Sequence, residues 1–261
     1  MINYIDLAQY SFYLSKRLPI KTSAYQNSDY IMSQVFHLRL ATDSLATKAQ
    51  QLGISIAALS DIRVSVHADI SQTSPFYLQL HYQINMPTPS MAYRLEWPVW
   101  QPDKVGFADY LWEETCLECF ISAKTPQPST LAVTKTPYIE INASPDGRYA
   151  LYQFDDYRHP DTLPPPALMT DLQTRATLDW PTSSVNSSLG INLARSVDFE
   201  RYLHIPVTPL LHQQYAVYGT VIEYLHPCVI LWLDKTALYF APSHATPPDF
   251  HNRQHWGQFV L

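Results

Sequence analysis

Hydrophobic and polar residues alternate with a period of two along two neighbouring stretches, residues 63–70 and 76–85. In RVSVHADI and in FYLQLHYQIN, nearly every second residue is apolar and most residues between them are polar or charged. Successive side chains of a β-strand point to opposite faces, so this period indicates strands with one buried and one solvated face. Because residues 71–75 are turn formers, the pattern predicts an antiparallel hairpin.

The clearest alternation lies between Trp112 and Arg158 and predicts three strands. They cover Thr115–Ser122, Tyr138–Ala143 and Arg148–Phe154. The Ser-Pro-Asp-Gly sequence at 144–147 suits a type I turn followed by a glycine bulge. The Pro- and Thr-rich residues 123–137 predict a longer loop before the second strand. This part of the chain is therefore predicted to be a three-strand meander.

The remaining pattern predicts further short strands and one helix. The helix covers Asp43–Leu52, with Asp43 or Ser44 as its N-cap and Gly53 as its end. With about ten short strands and little helix, we expect an all-β protein, an antiparallel β-sandwich with few short helices. The further strands are Thr174–Asp179, Leu189–Ala194, Tyr215–Tyr224, Val229–Leu233 and Thr236–Ala241.

The chain shows no change in composition that would separate two β domains. Residues 1–30 have no clean period, and the predicted helix is short enough to be an insertion. We therefore expect residues 1–60 to form an N-terminal extension packed on the sandwich, and residues 61–261 to form a single domain. The three consecutive prolines within 161–167 predict a surface loop, because proline cannot donate to a sheet ladder.

Composition and charge narrow the classes of partner. Hydrophobic residues make up 46% of the 261 residues, which excludes general disorder, and the formal net charge is −6. An acidic chain without a basic cluster is a poor binder of nucleic acid or anionic membranes. No apolar run approaches the roughly 20 residues of a membrane span, and residues 1–20 lack the pattern of a signal peptide. We expect a cytoplasmic protein.

The three cysteines agree with a reducing compartment, because their odd number does not suit a disulfide framework. Cys116 and Cys119 have the C-x-x-C spacing of a metal or redox pair. Residues three apart on a strand face opposite sides, however, so we expect this pair to be separated by the sheet.

The meander places polar groups on one face. Glu118 shares a face with Cys116 and Phe120, while Glu140 shares a face with Asn142. One interpretation is a solvated surface with ordinary ion pairs. The other is a polar groove that binds a hydroxyl-rich ligand, because carboxylates and amides match groups that both donate and accept hydrogen bonds.

Neighbouring residues could complete such a groove. Two carboxylates on one face repel each other, so Arg148, Arg158 or Arg175 are expected to pair with them. Aromatic residues could provide flat apolar platforms for a ligand. The candidate platforms are Trp112, Tyr152 and Tyr157.

No catalytic or metal-binding signature accompanies these residues. Two carboxylates could serve a glycosidase, but that chemistry needs a defined separation and one raised pKa, which a sequence does not give. The common hydrolase and nucleotide-binding motifs are absent. A group of candidate ligands near the C-terminus lacks the spacing of a metal site: His244, Asp249, His251 and His255. We expect no enzymatic activity, no metal and no cofactor.

Several segments resemble the DOMON-like domain proteins of bacteria, which look like relatives of the type 9 carbohydrate-binding modules. The resemblance lies in Leu111–Phe120, Tyr138–Gly147, Tyr152–Arg158, Ala237–Pro242 and Pro248–His251, and it extends over roughly residues 61–261. It implies a β-sandwich in which one sheet carries a ligand face with aromatic platforms and charged hydrogen-bonding groups. The candidate ligand-binding residues are then Trp112, Glu118, Glu140, Asn142, Arg148, Tyr152, Tyr157, Arg158, Asp249 and His251.

The resemblance leaves more than one function open. We expect a non-catalytic module that binds a small polar ligand, a saccharide or a similar polyol. The wider DOMON superfamily includes haem-binding redox modules with Met and His axial ligands, and Met86 and Met91 are available for this role. A third alternative is a module whose polar face contacts another protein.

Overall fold

A computed structural model describes residues 30–71, 77–123, 136–181, 197–206 and 222–259. The strands are β1 (Tyr30–Leu40), β2 (Arg63–Ser71), β3 (Tyr77–Asn85), β4 (Gly106–Phe107), β5 (Cys116–Ala123), β6 (Tyr138–Ala143), β7 (Arg148–Phe154), β8 (Asp198–Pro206), β9 (Ile222–Leu233), β10 (Thr236–Ala241) and β11 (Gly257–Gln258). The helices are α1 (Leu45–Leu52), α2 (Ile56–Ser60) and α3 (Pro89–Arg94), with single 3-10 turns at Pro102–Lys104, Leu111–Glu113 and Arg253–His255.

The described strands form one curled, open sheet in the order β4-β7-β6-β5-β9-β10-β1-β2-β3-β8, and β11 pairs with β9. Every strand pair is antiparallel except the short β4, which runs parallel to β7. The expected all-β architecture with few helices is confirmed. Two halves meet where β1 pairs with β10, at Arg39↔Ala241 and Leu40↔Phe240. We call them the β1–β2–β3–β8 half and the β7–β6–β5–β9–β10 half.

The two halves of the curled sheet share one hydrophobic core. Val66 and Leu80 from the first half belong to the same buried cluster as Leu117 and Leu231 from the second. The buried Tyr82 hydroxyl also crosses between the halves and donates a hydrogen bond to a β5 backbone carbonyl, that of residue 118, at 2.7 Å. Because burial of apolar surface is the main stabilising term in folding, this shared core holds the two halves together.

Most strands of the predicted hairpin and meander are confirmed. β2 and β3 pair antiparallel with Val66 opposite Tyr82, and β5, β6 and β7 form the meander. Gly147 has a φ of 113°, which lies in the region that glycine adopts without strain, and its N–H donates to the Ser144 carbonyl at 3.1 Å. The turn at 144–147 therefore follows from its sequence.

The predicted helix is confirmed, and Ser44, one of the two predicted N-cap residues, occupies the N-cap position. Ser44 precedes α1 with a left-handed φ of 58° and makes no side-chain cap; its hydroxyl instead donates to the Asp43 carboxylate. At the other end, Gly53 has a φ of 62° and its N–H reaches the carbonyls of Ala49 and Gln50, as a glycine C-cap should.

Two parts of the sequence prediction need correction. Thr174–Asp179 is not a strand, since it makes only single bridges, at Arg175 to Met169 and at Asp179 to His204. Residues 30–40, which were assigned to an extension outside the β domain, form β1 between β10 and β2. The predicted strand Leu189–Ala194, residues 215–221 and residues 1–29 lie outside the described residues.

Candidate functional site

The outward side of the β7–β6–β5–β9–β10 half is covered by other parts of the chain. All residues of β6, and all of β5 except its last, are buried, so both faces of these strands are shielded from solvent. We call the side opposite the shared core the covered face. Phe250 and Trp256, from the segment after β10, pack on it against Phe120 with ring centroids 6.4 and 5.7 Å apart. Its side chains include Cys116, Glu118, Phe120, Tyr138, Glu140, Asn142, Tyr152, His226, Cys228 and Ile230.

A cavity of about 470 Å³ lies between the covered face and the loops above it. Strand residues form its floor, the 3-10 turn at Leu111–Glu113 contributes Trp112, and the proline-rich loop and the segment after β10 form the rest. Its size falls in the range of small-molecule sites. The lining residues are Trp112, Glu118, Phe120, Glu140, Phe154, Arg158, Pro160, Asp161, Thr162, Leu163, Pro165, Ile230, Tyr239, Pro248, Asp249, Phe250 and His251.

Two carboxyl groups are buried at the floor of this cavity. Glu118 is 3% exposed and Glu140 is 5% exposed. Glu118 lies opposite Asn142 and Glu140 lies opposite Phe120, so the two glutamates are diagonal neighbours on paired strands. The Asn142 amide donates to Glu140 Oε1 at 2.8 Å. The face predicted from the alternation of β5 and β6 therefore exists, and it is buried.

Burial changes the protonation of both carboxyl groups. It raises the pKa of Glu140 to about 7, against the hydrogen bond from Asn142 and the positive charge of Arg158, which lower it. Burial, and then the nearby charge of Glu140, raise the pKa of Glu118 well above its ordinary value. The Glu118 carboxyl therefore keeps its proton to a higher pH than a free glutamate does, while Glu140 is close to its midpoint at neutral pH.

The arginines predicted to pair with these carboxylates pair elsewhere. Arg148 donates to Glu114 at 2.6 Å and to Asp146 at 2.9 Å. Arg158 Nη2 donates to Asp249 Oδ1 at 2.8 Å, and the Arg175 guanidinium lies 4.2 Å from the centre of the Phe107 ring. Burial therefore takes the place of ion pairing here, because a protonated carboxyl needs no cationic partner.

His251 contacts Glu140 as a neutral ring. Burial, and then the charge of Arg158, lower the pKa of His251 to about 3. The Tyr138 hydroxyl accepts the Arg158 backbone N–H at 3.1 Å and is hydrogen-bonded to His251 Nδ1 at 2.7 Å. His251 Nε2 lies 3.8 Å from Glu140 Oε2, which is too far for a hydrogen bond in either tautomer.

Six of the ten residues predicted from the sequence line the cavity: Trp112, Glu118, Glu140, Arg158, Asp249 and His251. Asn142 lies behind Glu140, and Arg148 pairs with Glu114 and Asp146. The Tyr152 hydroxyl donates to Asp109 at 2.8 Å. Tyr157 is exposed and donates to Asp249 from outside, so it is not a platform within the cavity.

Several lining residues were missed in the sequence. Phe120 could have been found, because it alternates with Glu118 on β5. Ile230 lies on β9, of which two separate parts were predicted, and Tyr239 lies on β10, which was predicted in full. The two residues face each other across these strands, and the sequence does not reveal that pairing. The loop residues 160–165 carry no local signal for the direction in which the loop folds.

The residues considered as haem or metal ligands either lie away from the cavity or are not grouped as a metal site. Met86 and Met91 are buried in the shared core and do not line the cavity. Among the residues described, no three His, Cys, Asp or Glu side chains are grouped so that they could hold a metal ion. Cys116 and Cys119 belong to different clusters on opposite sides of the sheet, which confirms the prediction made from their spacing.

The described helices include none that is both long and apolar enough to cross a membrane. Comparisons with family models, curated proteins and solved structures found no match to this chain. The resemblance to DOMON-like domains therefore rests on the segments quoted above and remains a prediction.

Proposed function

We propose that the cavity on the covered face binds a small, hydroxyl-rich ligand, a saccharide or a similar polyol, and that the protein is a non-catalytic binding module. The observation that carries this proposal is the combination of a cavity of about 470 Å³ with two buried carboxyl groups at its floor and aromatic side chains along its walls. Apolar walls with a few polar groups that fix orientation are typical of small-molecule sites.

The floor supports this proposal through its hydrogen-bonding capacity. When Glu118 is protonated, the form that burial favours, it can donate one hydrogen bond and accept others. Glu140 Oε2 has no hydrogen-bond donor among the described residues. A hydroxyl group both donates and accepts, so it can satisfy either carboxyl group. A purely apolar ligand would leave these buried oxygens unsatisfied, which costs about 1–3 kcal/mol for each group.

The walls favour a ligand with flat apolar surfaces between its hydroxyl groups. Trp112 is held by edge-to-face contacts with Tyr110 and Tyr152, at centroid distances of 5.3 and 5.9 Å. Tyr239 and Phe250 line the cavity as well. Aromatic rings of this kind combine a large apolar surface with a fixed geometry. The C–H faces of a sugar ring suit such surfaces.

The proposal extends to the architecture. DOMON-like domains carry their ligand on one sheet of a β-sandwich, and the resemblance noted in the sequence implies the same here. We propose that the two halves of the curled sheet correspond to the two layers of that sandwich. The shared core between them supports this assignment.

Isothermal titration calorimetry of the full chain against a panel of monosaccharides, disaccharides and polyols tests the proposal. We expect at least one panel member to bind, and Trp112→Ala to weaken its binding about tenfold, as loss of an aromatic contact of about 1.4 kcal/mol would do. Tyr93→Ala is the matched control, because Tyr93 is 81% exposed and does not line the cavity. The proposal fails if no panel member binds, or if both variants bind equally well.

A further inference from the structure

The charges that line the cavity do not balance. Its described lining includes the acidic residues Glu118, Glu140, Asp161 and Asp249, but Arg158 is its only arginine or lysine. Arg158 is already paired with Asp249 at 2.8 Å. His251 is neutral because burial lowers its pKa. The two floor carboxyl groups therefore have no cationic partner among the described residues that line the cavity.

Both floor carboxyl groups also have open hydrogen-bonding positions. Glu140 Oε1 accepts the Asn142 amide, but Oε2 has no hydrogen bond among the described residues and lies 3.8 Å from His251 Nε2. Among the described residues, no hydrogen bond to the Glu118 carboxyl is found, since the neighbouring Cys116 thiol donates to Asn142 Oδ1 at 3.7 Å. Since both glutamates are more than nine-tenths buried and both line the cavity, their free oxygens face the space that a ligand would occupy.

Aromatic rings surround this acidic floor. The lining includes five of them, from Trp112, Phe120, Phe154, Tyr239 and Phe250. The face of an aromatic ring carries negative potential and attracts cations, by about 0.5–2 kcal/mol for each favourable contact. An ionised Glu140 within aromatic walls repels anions, and a neutral polyol would leave its charge opposed only by Arg158, which is already paired with Asp249. A cation complements both the floor and the walls.

We propose that the cavity selects an organic cation: a protonated or quaternary amine on a small molecule that also carries hydroxyl groups, such as an amino sugar. The nitrogen lies near the open oxygens of Glu118 and Glu140, and the aromatic walls surround the carbon atoms next to it. This inference rests on the proposed binding function and narrows it from a neutral polyol to a cationic one.

The proposal predicts how affinity depends on pH. A permanently charged ligand binds best when Glu140 is ionised, so its affinity rises as pH increases through about 7, the pKa of Glu140. Burial raises the pKa values of the neighbouring thiols and phenols and lowers those of the neighbouring imidazoles, so all of them stay neutral in this range, while Arg158 and Asp249 stay charged. The groups concerned are Cys116, Cys228, Tyr138, Tyr152, Tyr239, His226 and His251.

Calorimetry of the full chain with two matched pairs of probes tests the proposal. Choline is compared with 3,3-dimethylbutan-1-ol, which has the same shape without the charge, and D-glucosamine is compared with D-glucose. We expect the charged member of at least one pair to bind about tenfold more tightly than its neutral partner near neutral pH. If choline is that member, its affinity should rise about tenfold between about pH 6 and about pH 8.

Two variants distinguish the effect of the Glu140 charge at the cavity floor from the effect of the net negative charge of the protein. Glu140→Gln should lower the affinity for the charged probe about tenfold and remove its pH dependence. Glu113→Gln is the control, because it removes the same charge from an exposed residue beside Trp112 that does not line the cavity. Thermal unfolding of each variant checks that it is folded.

The possible outcomes distinguish this inference from the proposed function. If neutral probes bind as well as or better than the charged ones, the cation inference is overturned and the polyol site stands. Equal effects of Glu140→Gln and Glu113→Gln would also overturn it, because the selectivity would then come from net charge alone. If neither pair binds and the saccharide panel gives no ligand, both proposals fail.

Discussion

The two outward sides of the sheet start from the same sequence pattern and end in different environments. On the β1–β2–β3–β8 half, β3 alternates between buried and more accessible residues. Its outward side carries a hydrogen bond of 3.0 Å between His81 and Glu200, whose side chain is 41% exposed. We call this side the open face. On the covered face, the glutamates at equivalent alternating positions are at most 5% exposed.

This difference shows that alternation determines the direction of a side chain but not its exposure. Both faces point away from the shared core. Only the covered face carries the proline-rich loop and the segment after β10, which enclose a cavity against it. A glutamate that would be an ordinary surface anion on the open face becomes a buried acid with a raised pKa on the covered face.

The largest expected effect is on the packing of the covered face. Phe120→Ala should lower the free energy of unfolding by about 3–5 kcal/mol, because it removes a buried ring that contacts Phe250, His251 and Trp256. Val35→Ala on the open face, where Val35 is 44% exposed, should cost less than about 1 kcal/mol. Urea unfolding measures both, and equal losses would mean that the covered face is not a second packed layer.

The next effect depends on pH. Because the pKa of Glu140 is raised from 4.5 to about 7 on folding, its contribution to stability is fully present below about pH 4.5 and is lost as pH rises to about 7. Glu140→Gln should therefore stabilise the protein by up to about 3 kcal/mol near pH 8 and by little near pH 5.

Glu200→Gln on the open face is the control for that measurement. Its partly exposed pair with His81 predicts a change of less than about 1 kcal/mol at either pH. Thermal unfolding at the two pH values gives the comparison. A stabilisation by Glu140→Gln that does not vary with pH would show that the carboxyl group does not titrate in this range.

A smaller effect is expected at His226, which is fully buried and whose ring nitrogens have no hydrogen-bond partner in the part of the chain that the structure describes. Replacing an unsatisfied buried polar group by an apolar one of similar size removes its desolvation cost. His226→Leu should therefore stabilise the protein by about 1–2 kcal/mol, whereas His37→Leu at an exposed position should change little. Loss of stability in His226→Leu would mean that the imidazole has a partner in solution.

The smallest effect on stability is expected at the ion pair of Arg158 with Asp249. The two side chains are 53% and 18% exposed, so Asp249→Asn should cost less than about 1 kcal/mol. Differential scanning calorimetry measures this difference. A much larger loss would show that the pair holds the loops over the covered face.

The strands of the covered face could be predicted because their sequences alternate regularly and are separated by clear turn residues, as at 144–147.

The strand β8 was not predicted, because Arg201 occupies one of its inward positions and is only 4% exposed. The Arg201 side chain donates to the Pro145 carbonyl at 2.9 Å and lies over the Trp97 ring. A charged residue at a buried position hides the alternation. β1 contained a detectable signal, because Phe36 and Leu38 alternate with polar neighbours.

The cavity itself could only be predicted in part. Glu118, Glu140 and Asn142 were placed on one face correctly from the alternation of their strands. Their burial depends on residues more than a hundred positions away, such as Phe250 and His251, which are brought there by the tertiary fold. The raised pKa values of Glu118 and Glu140 follow from that burial, so they have no local signature in the sequence. The sequence also does not show that the arginines pair with other carboxylates.

The most direct test is a titration of the Glu140 carboxyl group by carbon-13 NMR in the full chain, with Glu140→Gln to assign the signal. It measures the property that separates the covered face from the open face. We predict a carboxyl resonance that titrates near pH 7 and is lost in the variant. If every glutamate of the chain, including Glu140, titrates below about pH 5, as exposed carboxyl groups do, the floor of the cavity is solvated and the covered face does not differ from the open face in this property.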